Sequence, residues 1–331
     1  MKSLYSMFLS QAYQDCWDDY NRSVKLKNFP RWDYVILTAS NDQQAEGFRR
    51  QIEERKEYLP AGTRFAAIPD RGGERVGSGG ATLEVLKYLH EQGGDFRKLR
   101  VLVIHSGGDS KRVPQQLPDG RSSTLFDEFM ICMSSVPSRI REGMVLLSGD
   151  VLLLFNSLQI DYNNVGAAAI SFKERVEVGK NHGVYVNGEG GNVKCCLQKK
   201  SEEELRKAGA VNEAGCVDID TGALIFSTAM MDSLYSLIGT EEGYDRYVNG
   251  TVRLSLYADF LYPLAENSTL EQFYLEKPEG EFCEELTEAR EQVWKVLRPY
   301  RMKLLRLAPA KFIHFGTTRE ILALMCGGVD A

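Results

Sequence analysis

Residues 101–115 read VLVIHSGGDSKRVPQ. Five residues suited to a buried strand run straight into two glycines and then into Asp109-Ser-Lys-Arg112. A short apolar run closed by glycine predicts a strand covered on both faces, as in a parallel sheet. Glycine lets a ligand come close to the main chain, and the adjacent Lys111 and Arg112 concentrate positive charge. The combination points to an anion at the carboxyl end of a strand, where open α/β sheets place their ligands. A single Lys-Arg turn is more often a solvated surface feature, so the reading needs support from elsewhere in the chain.

That support comes from repetition. Tyr34 to Ser40, Phe65 to Ile68 and Met144 to Leu147 are further short apolar runs. Helical stretches separate them: Gln43 to Leu59, Ala81 to Glu91 with Leu83, Leu86 and Leu89 at helical spacing, and Leu125 to Ser134. This alternation predicts an α/β domain. Beyond residue 160 strands dominate, at Val165 to Phe172, Gly183 to Val186, Val193 to Leu197 and Ala223 to Phe226, so a mixed sheet is expected. A helix over Glu284 to Leu297 and a short strand from Lys311 to Gly316 close the pattern. No internal repeat or linker divides the chain.

Composition limits the partners. The 331 residues are 43% hydrophobic and carry a formal net charge of -6, which gives no general attraction to nucleic acid or to an anionic membrane. No segment has the length and apolarity of a membrane span. The seven cysteines form no CxxC pair, and the early residues read as a helix and not as a signal peptide, so a cytoplasmic location is expected.

Three stretches carry the candidate chemistry. Arg71-Gly-Gly-Glu-Arg-Val-Gly-Ser-Gly-Gly-Ala-Thr82 places five glycines before a helix, whose free N–H groups and dipole suit a phosphate or a polar base edge. Its spacing matches neither the dinucleotide nor the P-loop signature. The alternative is a glycine turn with no ligand. Ser106-Gly-Gly-Asp-Ser-Lys-Arg112 is the second, with Lys as a point charge and Arg as a fork for polyphosphate. In the third, Leu146-Leu-Ser-Gly-Asp150, an Asp at a strand end can hold Mg²⁺ against substrate phosphates; the dull reading is a capping turn. Asn181-His-Gly183, Gln198-Lys-Lys200 and Asp218-Ile-Asp-Thr-Gly222 are weaker, since polar residues at strand ends are most often structural.

Taken in order, VGSGGATL (76–83), VIHSGGDSKRVP (103–114), LPDGRSSTLFDE (117–128), LLSGDVLL (146–153), NHGVYV (181–186), LQKK (197–200), DTGALIF (220–226) and FIHFGTT (312–318) resemble the pyrophosphorylase part of the fucokinase/fucose-1-phosphate guanylyltransferase family. The resemblance implies a GT-A-like (Rossmann-like) nucleotidyltransferase domain over residues 1–265, with 266–331 as a helical extension returning to it. The implied reaction converts GTP and L-fucose 1-phosphate to GDP-fucose and pyrophosphate with Mg²⁺. Carried over by residue, Gly77, Ser78, Gly79, Gly80 and Thr82 would cradle the guanine nucleotide, and Gly107, Gly108, Lys111 and Arg112 would grip its triphosphate. Asp150 would bind the metal. Asn181, His182 and Gly183 would line the sugar pocket, with Lys199 near the sugar phosphate and Asp220 near the hydroxyls. His314 stands where related enzymes often have a second metal-binding Asp, an altered site residue.

The chain also departs from that pattern. Val113-Pro-Gln-Gln-Leu-Pro-Asp-Gly120 joins two motifs directly, where the family places a stretch with a Gly-Lys pair. The chain carries no kinase glycine motif, although such proteins often carry a sugar-kinase domain on a longer parent chain. Two alternatives follow: a nucleotide- or sugar-binding module without turnover, and the same reaction on another sugar 1-phosphate or nucleotide.

Overall fold

The computed structural model describes residues 4–93, 95–106, 124–162 and 165–314. Its strands are β1 (Tyr34–Ala39), β2 (Arg64–Pro69), β3 (Arg100–His105), β4 (Gly143–Ser148), β5 (Val151–Phe155), β6 (Ala167–Arg175), β7 (Gly183–Asn187), β8 (Val193–Gln198), β9 (Cys216–Phe226), β10 (Met302–Leu307) and β11 (Ala310–His314). The main sheet runs β10-β6-β9-β4-β3-β1-β2, with β7 and β8 attached through β9. Strands β2, β1, β3 and β4 are mutually parallel, whereas β9 is antiparallel to both β4 and β6. The expected mixed α/β sheet is present.

The apolar runs are continuous because both faces of the sheet are covered. In β1, Val35 and Leu37 enter one core while Tyr34 and Ile36 enter the other. Leu102 and Ile104 of β3 oppose Val101 and Val103 in the same way. One core packs against the helices Leu4–Lys25, Asp42–Glu54 and Leu125–Cys132, the other against Gly77–Gly93, Thr228–Tyr235 and Glu284–Leu297. Helix starts follow local chemistry. Asn41 caps Asp42–Glu54 by accepting the Gln44 N–H at 2.9 Å, and Thr124 with Asp127 forms a capping box on Leu125–Cys132.

Strand order reverses between β1 and β3, since β2 lies on the far side of β1. Such a switch opens a crevice beyond the carboxyl ends of the strands. His105 ends β3 there, opposite Ser148 of β4 and beside Thr38 of β1.

Residues 266–314 are more than a helical extension. The helix Glu284–Leu297 has the expected bounds, but β10 joins the edge of the main sheet beside β6 and β11 pairs with β5. A buried ion pair anchors this return. Arg290 is 1% exposed and its Nε donates to Asp259 Oδ1 at 2.8 Å. Its Nη1 donates to the carbonyls of Phe273 at 3.0 Å, Tyr274 at 3.3 Å and Glu276 at 2.8 Å. Removing one member of a buried pair strands the other charge. Arg290→Met is therefore expected to cost about 3–5 kcal/mol in urea unfolding, and adding Asp259→Leu should recover only part of that loss, because the carbonyls of Phe273, Tyr274 and Glu276 stay without their donor.

Candidate functional site

A cavity of about 810 Å³ lies where four backbone features meet. The first is the turn from β4 to β5, which presents Ser148 and Asp150. Ser148 Oγ donates to Asp150 Oδ1. The second is β11, whose antiparallel register sets His314 opposite Val151 and brings its Nε2 to 3.7 Å from Asp150 Oδ2. Burial works to raise the Asp150 carboxyl, but the contacts from His314 and Ser148 outweigh it and leave its pKa below the usual carboxylate value. This carboxylate stays ionised near neutrality, as a cation ligand must.

The third feature is a bulge in β9. Its register with β6 passes from Ser171↔Asp220 to Ile170↔Ala223, leaving Thr221 and Gly222 without strand partners. Bulges re-aim side chains next to active sites, and here Asp220, Thr221 and Gly222 all line the cavity. Thr221 Oγ1 returns to the Ile170 carbonyl at 2.6 Å, and Asp220 Oδ1 accepts the Gly222 N–H at 2.9 Å. Burial raises the Asp220 pKa against the opposing effect of that N–H.

The fourth is the start of β7. A Cβ on Gly183 would lie 2.9 Å from the Asp220 Cβ, so only glycine lets β7 approach the bulge so closely. His182 lies in the cavity with its ring centroid 5.4 Å from Phe312 and 5.9 Å from His314. Burial, then the His314 and Lys199 charges, lower its pKa, which favours the neutral imidazole.

The opposite wall comes from Ser255, Tyr257, Ala258, Gln272, Glu276 and Lys277. Tyr257 and Ala258 belong to a π-turn, Leu256–Leu261, a rare geometry that recurs at functional sites. The Arg290–Asp259 pair holds this wall, because Asp259 Oδ2 also accepts the Ser255 N–H at 2.7 Å. None of these wall residues was singled out by motif. Ser255, Tyr257 and Ala258 lie in SLYADFL (255–261), which has neither the glycines nor the clear periodicity that marks a site in sequence.

Thus Asp150, His182, Asp220 and His314 come together around one cavity. Asn181 does not join them; it is exposed, and its amide turns back to the Glu177 carbonyl at 3.5 Å. Lys199 is exposed at φ 47° with its N–H on the His182 carbonyl, and it stands outside the lining. Gly107, Gly108, Lys111 and Arg112 lie outside the described residues.

The glycines from 77 to 80 have a structural use that sequence did not reveal. Gly77 has φ +83°, and a Cβ there would come within 2.3 Å of the Leu254 carbonyl. The N–H groups of Gly79 and Gly80 donate to that same carbonyl at 2.8 and 3.3 Å. Ser78 donates its N–H to Glu279 at 3.2 Å. The amides of residues 78–80 therefore already have protein partners. Thr82 faces the crevice side of β3: its hydroxyl donates to the Ser78 carbonyl at 2.8 Å and lies 3.3 Å from His105 Nε2.

With this geometry in view, the relatives decide the family. A family model described as Fucose pyrophosphorylase domain matches residues 93–330. The chain belongs to the fucose pyrophosphorylase family. It is similar to fucose-1-phosphate guanylyltransferase of Mus musculus, 27% identical over 88% of this chain and 56% of the relative. The Homo sapiens protein of that name is 26% identical, covering 88% and 54%. A bifunctional fucokinase/GDP-fucose pyrophosphorylase of Arabidopsis thaliana is 25% identical, covering 90% and 32%. The chain thus spans about half the length of the animal relatives and about a third of the plant one. Among solved structures, HddC from Yersinia pseudotuberculosis aligns at TM-score 0.44 and 12% identity over 95% of this chain and 83% of that one. Its complex with GMP-PN aligns at 0.39 and 11% over 88% and 96%. No helix among the described residues is long and apolar enough to cross a membrane.

His105 supplies a pH prediction. Burial lowers its pKa from 6.5 to about 4. Between those values the unfolded chain binds a proton that the folded chain does not, so this contribution to stability is present above pH 6.5 and is lost as pH falls toward 4. Urea unfolding should show a smaller drop from pH 7 to pH 5 in His105→Gln than in wild type.

Proposed function

We propose that this chain is a GT-A-like sugar-1-phosphate guanylyltransferase that converts GTP and L-fucose 1-phosphate to GDP-L-fucose and pyrophosphate. The observation that carries the reading is the convergence of Asp150, His182, Asp220 and His314 on one cavity beside the carboxyl ends of β3 and β4. Family membership and the names of the relatives agree with it.

The donor set suits Mg²⁺. Asp150 is a hard oxygen ligand held ionised, and among the described residues no group of three His, Cys, Asp or Glu forms an all-protein cage. Mg²⁺ is commonly held by one or two carboxylates together with substrate phosphates. Asp150 would hold it, with His314 beside the carboxylate as the second residue of that corner. When bound, the ion would neutralise charge on the nucleotide's phosphates.

The remaining work falls to the chain's own residues. A sugar phosphate is already a nucleophile, so no Ser-His-Asp relay is required. One of its oxygens attacks the α-phosphorus, the new O–P bond forms, and the bond to the β-phosphate bridging oxygen breaks in line. Lys111 and Arg112 take the charge that builds on the departing pyrophosphate. Gly107 and Gly108 join them at the triphosphate, and residues 77–82 border the guanine nucleotide without the amides of 78–80, which Leu254 and Glu279 already hold. Asp220 takes sugar hydroxyls and His182 and Gly183 edge the sugar site, with Asn181 turned away from it, and the exposed Lys199 draws in the sugar phosphate from outside the lining. A sugar-kinase domain, as named in the plant relative, would supply this substrate from a longer chain.

Pyrophosphate release from GTP, L-fucose 1-phosphate and Mg²⁺ tests the reading. Wild type should release pyrophosphate and lose that activity on chelation. Arg112→Ala should lose turnover by about two to three orders of magnitude with unchanged thermal unfolding. Binding of both substrates without release would favour a silent binding module, the outcome suggested by the direct join at 113–120.

A further inference from the structure

Gly222 links two acceptors on the cavity floor. Its N–H is taken by Asp220 Oδ1 at 2.9 Å, and its carbonyl accepts the Tyr257 hydroxyl at 3.3 Å. With its proton directed to that carbonyl, the phenol oxygen has lone pairs left for the cavity that Tyr257 lines. Burial, then the charges of Asp220 and Asp150, hold the phenol pKa above its ordinary value, so Tyr257 stays neutral. Gly222 sits at φ +71°, and a Cβ there would lie 3.2 Å from the Tyr257 oxygen and 3.4 Å from the Ser148 Cβ. The floor, the Asp150 turn and the π-turn therefore close on one residue that has no side chain to intervene.

An acceptor-rich floor selects donors. A phosphate brings only acceptors, whereas the hydroxyls of a sugar ring can donate to the Asp220 carboxyl and to the Tyr257 oxygen. We propose that Tyr257 is a specificity-determining residue that accepts a hydrogen bond from one ring hydroxyl of the sugar 1-phosphate, beside the hydroxyl taken by Asp220. The hydroxyl face of the sugar then lies on the β9 bulge and its phosphate points toward Asp150. This rests on the sugar 1-phosphate reading of the cavity. The π-turn is the local device that makes it possible, since it projects Tyr257 and Ala258 into the cavity while Asp259 remains on Arg290 beneath.

Calorimetric titration of the whole chain with L-fucose 1-phosphate and Mg²⁺ tests this, comparing wild type with Tyr257→Phe and repeating the pair with the 2-, 3- and 4-deoxy analogues. Loss of one neutral hydrogen bond predicts binding of L-fucose 1-phosphate about tenfold weaker in the variant. One deoxy analogue should bind both proteins equally, because the hydroxyl it lacks is the partner of the oxygen the variant lacks. A general loss of structure would weaken every ligand and could not produce that pattern. Equal affinities throughout, or an equal loss for every ligand, would overturn the role of Tyr257 and leave the broader reading standing. Failure of wild type to bind the sugar phosphate would overturn both.

Discussion

A single buried cation shapes the far wall of the cavity. Arg290 lies in the helix Glu284–Leu297, yet its guanidinium reaches Asp259 of the π-turn and the carbonyls of Phe273, Tyr274 and Glu276. A desolvated pair of this kind gains little over a well-packed apolar substitute. Its value here is geometric. It fixes three neighbouring segments of the chain, so that Tyr257, Gln272, Glu276 and Lys277 line one cavity with Asp150 and Asp220.

The same wall reaches the proposed nucleotide side. Leu254 accepts the N–H groups of Gly79 and Gly80, and the Leu256 N–H donates to Ser78 Oγ at 2.9 Å. Tyr257 then follows, with its hydroxyl on Gly222. Four consecutive residues, 254–257, thus run from the start of a helix to the floor of the cavity. A displacement at either end would be felt at the other, because the glycines leave no slack between backbone and backbone.

The sheet was legible in sequence where both faces are buried. Tyr34–Ala39 and Arg100–His105 are nearly unbroken apolar runs because alternate residues serve separate cores. β10 escaped because it is an edge strand whose Lys303 and Arg306 interrupt the run, and β5 because Val151 follows the Ser-Gly-Asp turn without a break. Asp150, His182, Asp220 and His314 could be named from motifs, since each sits at a strand end beside glycine or within a resembling segment. Tyr257, Asp259 and Arg290 could not, because their roles arise only when the chain returns across the sheet. The glycines at 77, 79 and 80 illustrate the converse limit: the same composition that admits a ligand also admits the Leu254 backbone.

The cavity between Asp150 and the β9 bulge is the proposed seat of the sugar phosphate. A crystal structure of the chain with GDP-L-fucose and Mg²⁺ addresses this directly. Fucose bound over Asp220 and Gly222, with the neighbouring phosphate toward Asp150, is the predicted result. Product bound with its sugar outside this cavity would contradict the account.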